Sequence, residues 1–250
     1  MATLDPPQRA VLACPACGGA VTERLGCETC AREFPFENGV LRMLPDHPRA
    51  GGWDAPAPNY ELSRFEGTAG RRRKNRRERA VVEGFLSSLP AGVWIVDVPC
   101  GEGRFSDLAI ARGLKLCSID VNLDHALAAA ARAPGTLCIQ GDLTALPLRP
   151  ASMAAAICVR ASYYFDDDTL ARVLDALGRS APRVLLSYRD PATLVGWWKR
   201  VRGHASVKPE KNRTRAQIGA IAERAGLRLV GRAPRLPIRE MRFVELTKRG

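Results

Sequence analysis

A short apolar stretch that ends in an acid and a glycine turn constrains the fold of this chain most. Residues 93–98 are rich in Val and Ile, Asp97 lies near their end, and Gly101 and Gly103 follow shortly after. The amphipathic segment 105–111 comes next. This order predicts a strand, a tight turn and a helix whose first N–H groups point at a ligand. The glycines allow the backbone to approach that ligand closely.

Strand-like and helix-like segments alternate after this turn. The predicted strands cover residues 93–98, 115–119, 137–140, 153–159, 183–187, 227–230 and 242–246, with helices over 104–112, 124–132 and 170–177 and a further helix opened by the capping box Thr214-x-x-Gln217. Such alternation predicts an α/β fold with helices on both faces of the sheet and right-handed crossovers. The expected sheet is doubly wound, mostly parallel, seven-stranded and Rossmann-like.

Three acids, Asp97, Asp120 and Asp142, fall at the ends of predicted strands. In a doubly wound sheet the ligand lies beyond the carboxyl ends of the strands, so these acids are expected to share one site. Asp120 is placed to bridge two ribose hydroxyls. Asp142 is placed to accept from an adenine amino group, with Leu143 packing on the ring. Asp97 is placed to orient the turn and a ligand ammonium.

The turn itself distinguishes two adenosine cofactors. A dinucleotide requires a third glycine where this chain has Ser106, and Glu102 is unfavourable beside a pyrophosphate. S-adenosylmethionine has no phosphate, and its sulfonium and ammonium groups suit the three acids. The sequence therefore favours a methyl donor over a nicotinamide cofactor.

This pattern resembles that of the class I S-adenosylmethionine-dependent methyltransferases. It reads Asp97-x-x-x-Gly101-x-Gly103, then Asp120, then Gly141-Asp142, and the resemblance covers about residues 75–250. Pro99 stands where the family often has its first glycine, a departure that other family members share. The resemblance implies that the methyl donor is held by Asp97, Pro99, Cys100, Gly101, Gly103, Asp120, Val121, Asp142, Leu143 and Val159.

Four cysteines near the N-terminus have the spacing of a metal site. Cys14 and Cys17 form one Cys-x-x-Cys pair, and Cys27 and Cys30 form a second pair on another predicted turn. Four thiolates give a closed tetrahedral site with no position left for water, so we predict structural Zn²⁺. The segment around these pairs resembles the zinc ribbon of bacterial ribosomal RNA guanine-N1 methyltransferases and of partner proteins that activate methyltransferases.

Composition divides the chain into three parts. We predict a zinc ribbon over residues 1–47, a Pro- and Gly-rich linker over 48–70, and a methyltransferase domain over 71–250 with a lid-like segment at 189–213. The ribbon is expected to dock either to its own methyltransferase domain or to a protein partner. No apolar run is long enough to span a membrane, the N-terminus lacks the apolar core of a secretory signal, and single buried-type cysteines suit a reducing cytoplasm.

The sequence gives the weakest indication of the residues that bind the methyl acceptor. The resemblance places the catalytic region just after the fourth strand, where Arg160 is a candidate for holding an anion, and Tyr163 and Tyr164 for stacking on a planar substrate. The motif of amino-methylating family members is missing there. No catalytic base is assigned, and His125 is expected at the surface of its helix. Trp197 and Trp198 are expected in the lid, where they pack over the pocket, stack on the bases of an RNA substrate or contact a membrane interface.

The net charge of +12 lies wholly beyond residue 48 and is concentrated partly in residues 71–79. These basic residues either bind phosphates or project into solvent, and solvent is favoured because no aromatic residues interrupt them. The charge and the ribbon resemblance rank RNA slightly above another anionic, small-molecule or lipid-like acceptor. A non-catalytic adaptor is the alternative from another class, and the intact glycines and acids argue against it.

Overall fold

The computed structural model describes residues 4–46, 65–191, 193, 201, 211–231 and 241–249, with one large sheet at its centre. The strands are β1 (Phe36–Glu37), β2 (Val40–Met43), β3 (Trp94–Asp97), β4 (Lys115–Asp120), β5 (Leu137–Gly141), β6 (Ala155–Cys158), β7 (Arg183–Arg189), β8 (Leu227–Val230) and β9 (Met241–Lys248). The helices are α1 (Pro6–Ala10), α2 (Ala69–Leu86), α3 (Ser106–Ala111), α4 (Leu123–Arg132), α5 (Asp167–Ser180) and α6 (Arg215–Arg224), with a 3₁₀ turn at Ser162–Tyr164.

The order of the strands places a ligand site at β3. The sheet runs β1-β2-β5-β4-β3-β6-β7-β9-β8, and β2 to β7 are parallel where they are neighbours. β9 is antiparallel to both β7 and β8. From β3 the chain forms β4 and β5 on one side and then crosses over to form β6 and β7 on the other side, so the strand order reverses at β3 and creates the crevice where such sheets bind ligands. The predicted α/β, mostly parallel, Rossmann-like fold is confirmed.

The predicted number of strands is wrong, because the sheet has nine strands and not seven. The two additional strands come from residues 36–43, which the sequence analysis assigned to the ribbon alone. β2 pairs in parallel with β5, from Val40 opposite Cys138 to Met43 opposite Gly141. Val40, Leu41 and Met43 are completely buried by this pairing. β2 therefore covers an edge of the parallel sheet that would otherwise expose unpaired backbone groups.

The two faces of the sheet are covered by different elements. Helices α2 and α3 pack on one face through residues such as Val82, Phe85 and Ala109, and α4 adds Ala126 and Ala129 beside Cys138 on that face. The other face is shared by α5, α6 and the N-terminal ribbon, which we define as residues 4–46. Because successive strand residues point to opposite faces, each strand contributes to both layers.

The ribbon packs on the sheet where a crossover helix is absent. The connection from β5 to β6, residues 142–154, contains no helix, although parallel connections usually contain one. Leu12, Leu25 and Phe34 of the ribbon join the same apolar core as Leu143 and Leu148 of this connection. The ribbon was expected to dock either to the chain's own domain or to a protein partner. In the structure it packs on the chain's own sheet.

Several predicted features fall outside the described residues. Trp197 and Trp198 do so, together with most of the lid-like segment 189–213 and most of the linker 48–70. The domain boundaries therefore stay predictions. No described helix is long and apolar enough to cross a lipid bilayer.

Candidate cofactor site and metal centre

The glycine turn after β3 contains two glycines with different surroundings. Both have positive φ, +55° at Gly101 and +78° at Gly103, a backbone region that other residues rarely adopt. A Cβ at Gly103 would lie 3.2 Å from the Cα of Ala129 and 2.9 Å from the Oγ of Ser106. A Cβ at Gly101 would meet no atom of the described residues within 4 Å. Gly103 therefore lets α4 approach the turn, whereas Gly101 borders open space.

The carboxylate of Asp120 connects the end of β4 to this turn. One of its oxygens accepts a hydrogen bond from the N–H of Gly101 at 2.9 Å, and the other accepts from the N–H of Asn122 at 2.9 Å. The side chain is buried, so neutral backbone donors hold an acidic group beside the open space. The oxygen that accepts from Gly101 has a further lone pair, which leaves acceptor capacity for a ligand hydroxyl.

His125 is a neighbour of Asp120 that the sequence analysis placed wrongly. The expected surface histidine is buried, and its Nδ1 lies 3.6 Å from an Asp120 oxygen. The hydrogen bond to Asp120 raises the pKa of His125, and the charges of Asp120, Glu102 and Asp124 act in the same direction against the effect of burial. The missed signal is the Asn122 cap, whose side chain accepts from the N–H groups of Asp124 and His125. That cap fixes His125 in the first turn of α4, close to the strand end.

The other two predicted acids are also buried at strand ends. Asp97 ends β3, and Asp142 directly follows β5. One oxygen of Asp142 accepts from both the N–H and the hydroxyl of Thr144, each at 2.8 Å. Because β5, β4 and β3 are consecutive and parallel, the three acids follow one another along one edge of the sheet. The structure brings them to this edge as predicted, and their contacts with a ligand stay a prediction.

The remaining predicted cofactor residues surround these acids. Pro99 follows a cis peptide bond from Val98, and Val159 and Leu143 are buried beyond the ends of β6 and β5. Burial raises the pKa of the Cys100 thiol well above its usual range, and the charges of Asp120 and Asp97 add to this effect. Cys100 is therefore a neutral packing group. The carbonyl of Val121 accepts a hydrogen bond from the amide of Gln140 at 3.2 Å.

Beyond β6, a buried acid of α2 holds two arginines. Both oxygens of Glu78 accept from Arg160, at 2.6 and 3.0 Å, and Arg104 of the glycine turn donates to the same carboxylate at 2.8 Å. Burial alone would raise the pKa of Glu78, but the charges and hydrogen bonds of Arg160 and Arg104 hold it below its usual range. The guanidinium groups of Arg104 and Arg160 lie 4.2 and 4.8 Å from the ring centre of Phe65. The sequence alone does not indicate the role of Glu78, because this residue lies within a run of arginines.

The two candidate tyrosines have different surroundings. Tyr163 is completely buried, with the guanidinium of Arg189 4.3 Å from its ring centre. Tyr164 is half-buried, and its ring centre lies 4.5 Å from that of Tyr163. Arg213, which the sequence analysis did not select, fixes this segment by donating to the carbonyls of Ser162 and Phe165. Tyr163 is therefore part of the core, while Tyr164 retains exposed surface.

A polar cleft opens beside the glycine turn. Its volume is about 360 Å³, and it lies between α2, the start of α3 and the end of α4. Its lining residues are Phe65, Glu66, Asn75, Arg79, Arg104, Asp107 and Arg132.

The four N-terminal cysteines converge as the spacing predicts. Their Sγ atoms all lie within 4.8 Å of one another, with Cys14 and Cys30 3.7 Å apart and Cys17 and Cys27 3.4 Å apart. A tetrahedral site with Zn–S bonds of about 2.3 Å requires sulfur atoms about 3.8 Å apart. The donor set and its spacing thus fit zinc.

Residues 95–181 match the family described as "Methyltransferase domain". The chain is similar in structure to magnesium protoporphyrin IX methyltransferase (ChlM) from Synechocystis PCC 6803, at 18% identity and a TM-score of 0.57 over 78% of this chain and 90% of that one. It is also similar to the PH0226 protein from Pyrococcus horikoshii OT3, at 14% identity and a TM-score of 0.59 over 75% and 96% of the two chains. The mitomycin 7-O-methyltransferase MmcR has 18% identity and a TM-score of 0.53, over 76% of this chain and 60% of its own. No curated protein shows significant sequence similarity to the chain.

The matched segment contains the site described above. Asp97, Gly101, Asp120 and Asp142 all lie within residues 95–181, and the structural neighbours share the fold. The family match over residues 95–181, together with structural neighbours that include methyltransferases, supports an S-adenosylmethionine-dependent methyltransferase. The predicted enzyme class is therefore confirmed.

Proposed function

We propose that the chain transfers a methyl group from S-adenosylmethionine to an anionic acceptor, and that this acceptor is RNA. The observation that carries the first part is the row of three buried acids at the ends of β3, β4 and β5 beside the open space at Gly101. The methyl donor supplies a methyl group made electrophilic by a sulfonium. The task of the protein is then to orient donor and acceptor and to exclude water.

Each acid has its own part in holding the donor. Asp120 binds the ribose hydroxyls, for which it has two oxygens already oriented by backbone N–H groups. Asp142 and Leu143 hold the adenine by its amino group and its ring. Asp97 attracts the ammonium group, while Gly101 leaves room for the ligand at the backbone. Val121 and Val159 complete the apolar lining, and Pro99 and Cys100 shape the turn.

The ribbon binds one structural Zn²⁺ through Cys14, Cys17, Cys27 and Cys30. The close approach of the four sulfur atoms supports this assignment. All four tetrahedral positions are then occupied by thiolates, so the metal has no role in the reaction itself. A structural zinc of this kind supplies about 10–16 kcal/mol of apparent binding free energy at neutral pH. The ribbon needs such a contribution because its described helix and strands are short.

The first half of α2 supports an RNA acceptor. Five of its basic side chains are exposed, and the cleft beside the glycine turn begins on the following turns of the same helix with Asn75 and Arg79. A cluster of exposed cations of this kind attracts the phosphates of a polyanion. The exposed residues are Arg71, Arg72, Arg73, Lys74 and Arg76. A catalytic base is not assigned, since the nucleophile of an acceptor that is already deprotonated requires none.

A small-molecule acceptor is the second candidate function. It is favoured by two structural neighbours whose names give small-molecule substrates, a magnesium porphyrin and a mitomycin. In this case Tyr164 would lie against a planar ring, and Arg160, already oriented by Glu78, would face an anionic group of the substrate.

Labelled methyl transfer into a fractionated lysate distinguishes the two acceptors. RNA methylation predicts label that is removed by ribonuclease and retained after phenol extraction. The variant Arg73→Glu/Arg76→Glu should reduce labelling of RNA at least about tenfold. It should also make RNA binding less dependent on salt concentration, because each phosphate contact contributes to the affinity and to its salt dependence. The matched variant Arg228→Glu/Lys248→Glu, with the same charge change on β8 and β9 at the far edge of the sheet, should label RNA as the wild type does. Label found only in the small-molecule or lipid fraction would refute the RNA assignment.

A further inference from the structure

We propose that the N-terminal ribbon is a positioning element of the cofactor site, so that its metal occupancy sets the affinity for the methyl donor. This inference rests on the proposed function, from which it takes both the donor and the zinc. It goes beyond that function because a structural ribbon could fold and bind metal without any effect on the donor. The contacts that connect the ribbon to the site follow two separate routes.

The first route runs through β2 into β5 and β4. Arg42 of β2 donates a hydrogen bond to the side-chain oxygen of Gln140 at 3.2 Å, and the buried Gln140 amide donates to the carbonyl of Val121 at 3.2 Å. Val121 directly follows Asp120. A ribbon side chain therefore orients the group that fixes the backbone after the ribose-binding acid. This side-chain connection adds to the backbone pairing of Met43 with Gly141, the residue before Asp142.

The second route runs through the loop that follows Asp142. Leu12 of the ribbon forms an antiparallel bridge with Leu148, and the N–H of Ala13 donates to the carbonyl of Pro147 at 3.1 Å. Arg149 donates two hydrogen bonds to the ribbon. Its backbone N–H donates to the carbonyl of Val11 at 2.9 Å, and its side chain donates to the carbonyl of Leu12 at 3.1 Å. The loop that contains the adenine-binding residues is therefore held by the ribbon on both sides. It has no helix of its own to fix it.

The metal site is directly connected to the second route. Ala13 directly precedes the ligand Cys14, and the carbonyl of Cys14 accepts from the N–H of Gly18 in the turn that presents the first pair of thiols. Loss of the metal removes the constraint that holds the two cysteine turns together, and the peptide that contacts Pro147 belongs to the first of these turns. We therefore expect the Asp142 loop to loosen when the ribbon is empty, which lowers donor affinity by lost preorganisation.

Calorimetric titration with S-adenosylhomocysteine, together with measurement of bound zinc, tests this inference. Arg42→Met removes the ribbon end of the first route without touching the thiols or the acids. It should raise the Kd by about three- to tenfold, the usual effect of one hydrogen bond, with one zinc per chain retained. In turnover assays KM for the methyl donor should rise while kcat is unchanged. Arg42→Lys, which keeps a donor for Gln140, should recover most of the affinity, and Arg24→Met, at an exposed arginine of the same ribbon, should bind as the wild type.

Removal of the metal tests the same coupling more strongly. Cys14→Ser/Cys27→Ser, or wild type treated with a chelator, should bind the ligand at least about tenfold more weakly and recover on addition of zinc only in the wild type. If these proteins do not fold, the Kd values of Arg42→Met and Arg42→Lys still test whether the ribbon positions the cofactor site. Equal affinity in the wild type, Arg42→Met and the folded zinc-free proteins would overturn the inference. Absence of binding by the zinc-loaded wild type would instead overturn the proposed function.

Discussion

The two halves of the sheet's carboxyl edge hold their charged groups in different ways. At the ends of β3, β4 and β5, which we call the acidic half, Asp120 and Asp142 are held by backbone N–H groups and by a threonine hydroxyl. The second half, which we call the arginine half, lies beyond β6 and β7. There Arg160 is held by the carboxylate of Glu78, and Arg213 is held by Asp167 together with three backbone carbonyls. Asp142 has only neutral donors, and Asp120 has them together with the single nearby His125, so most of the negative charge of this half stays in place, whereas a carboxylate cancels the charge of an arginine.

The difference indicates what each half contributes. The acidic half keeps a negative field over the open space at Gly101, which suits the cationic groups of the methyl donor. The arginine half is built to fix the chain after β6, so its interactions stabilise the fold. Changes in the acidic half should therefore alter ligand affinity, and changes in the arginine half should alter stability.

The largest effect on stability is expected from Glu78→Gln. The substitution leaves Arg160 and Arg104 without their buried counter-charge, and breaking a buried ion pair in this way costs about 3 kcal/mol. Urea denaturation measures the loss, with Glu83→Gln at an exposed position of the same helix as the control. Because the pKa of Glu78 is lowered in the folded state, its contribution is present above its unfolded pKa and is lost as pH falls through the folded one. If Glu78→Gln were as stable as Glu83→Gln, the ion pairs of Glu78 would not stabilise the arginine half.

The two glycines of the turn should differ in the same way, one affecting stability and the other affecting ligand affinity. Gly103→Ala combines a positive φ with a Cβ 3.2 Å from the backbone of Ala129, and should destabilise the domain by about 2–3 kcal/mol. Gly101→Ala has only the φ penalty of about 1–2 kcal/mol, but its methyl group enters the space reserved for the ligand. Denaturation should therefore show that Gly103→Ala is the less stable variant. Calorimetry with S-adenosylhomocysteine should show that Gly101→Ala loses more affinity than Gly103→Ala, although it loses less stability. Equal losses in both measurements would contradict the different surroundings of the two residues.

The smallest effect is expected from the protonation of His125. Its pKa is raised in the folded state, so its contribution to stability is complete below its unfolded pKa of about 6.5 and is lost as pH rises through the folded value. The groups that face it are Asp120, Glu102 and Asp124. His125→Gln should flatten the pH dependence of the denaturation midpoint in this range. A dependence identical to that of the wild type would show that another group is responsible.

The sequence predicted those parts of the molecule that depend on local patterns. All seven strands of the central fold were expected, because each is a short apolar stretch next to a turn, and the three acids were placed at strand ends for the same reason. The four cysteines were recognised from spacing alone. The pairing of β2 with β5 was not predicted, since a four-residue strand belonging to a ribbon has no local signal for the sheet that it joins.

The residues that the sequence did not reveal all act through distant contacts. Glu78 lies among arginines that suggest a solvated helix, and only its partners Arg104 and Arg160 explain why it is buried. Arg213 reaches back across more than forty positions to the segment after β6. His125 was expected at the surface because the periodicity of its helix gives no information about Asp120, the acid before the helix that contacts it. In each case the partner is set by the topology of the sheet.

The central claim is that the acidic half binds a methyl donor and no dinucleotide. Isothermal titration of the zinc-loaded protein with S-adenosylhomocysteine, S-adenosylmethionine and NAD tests it, with Asp120→Ala and the exposed Asp124→Ala as a matched pair. We expect binding of both sulfur ligands and none of NAD, a loss of affinity of at least about tenfold in Asp120→Ala, and wild-type affinity in Asp124→Ala. Binding of NAD, no binding of either sulfur ligand, or unchanged affinity in Asp120→Ala would contradict it.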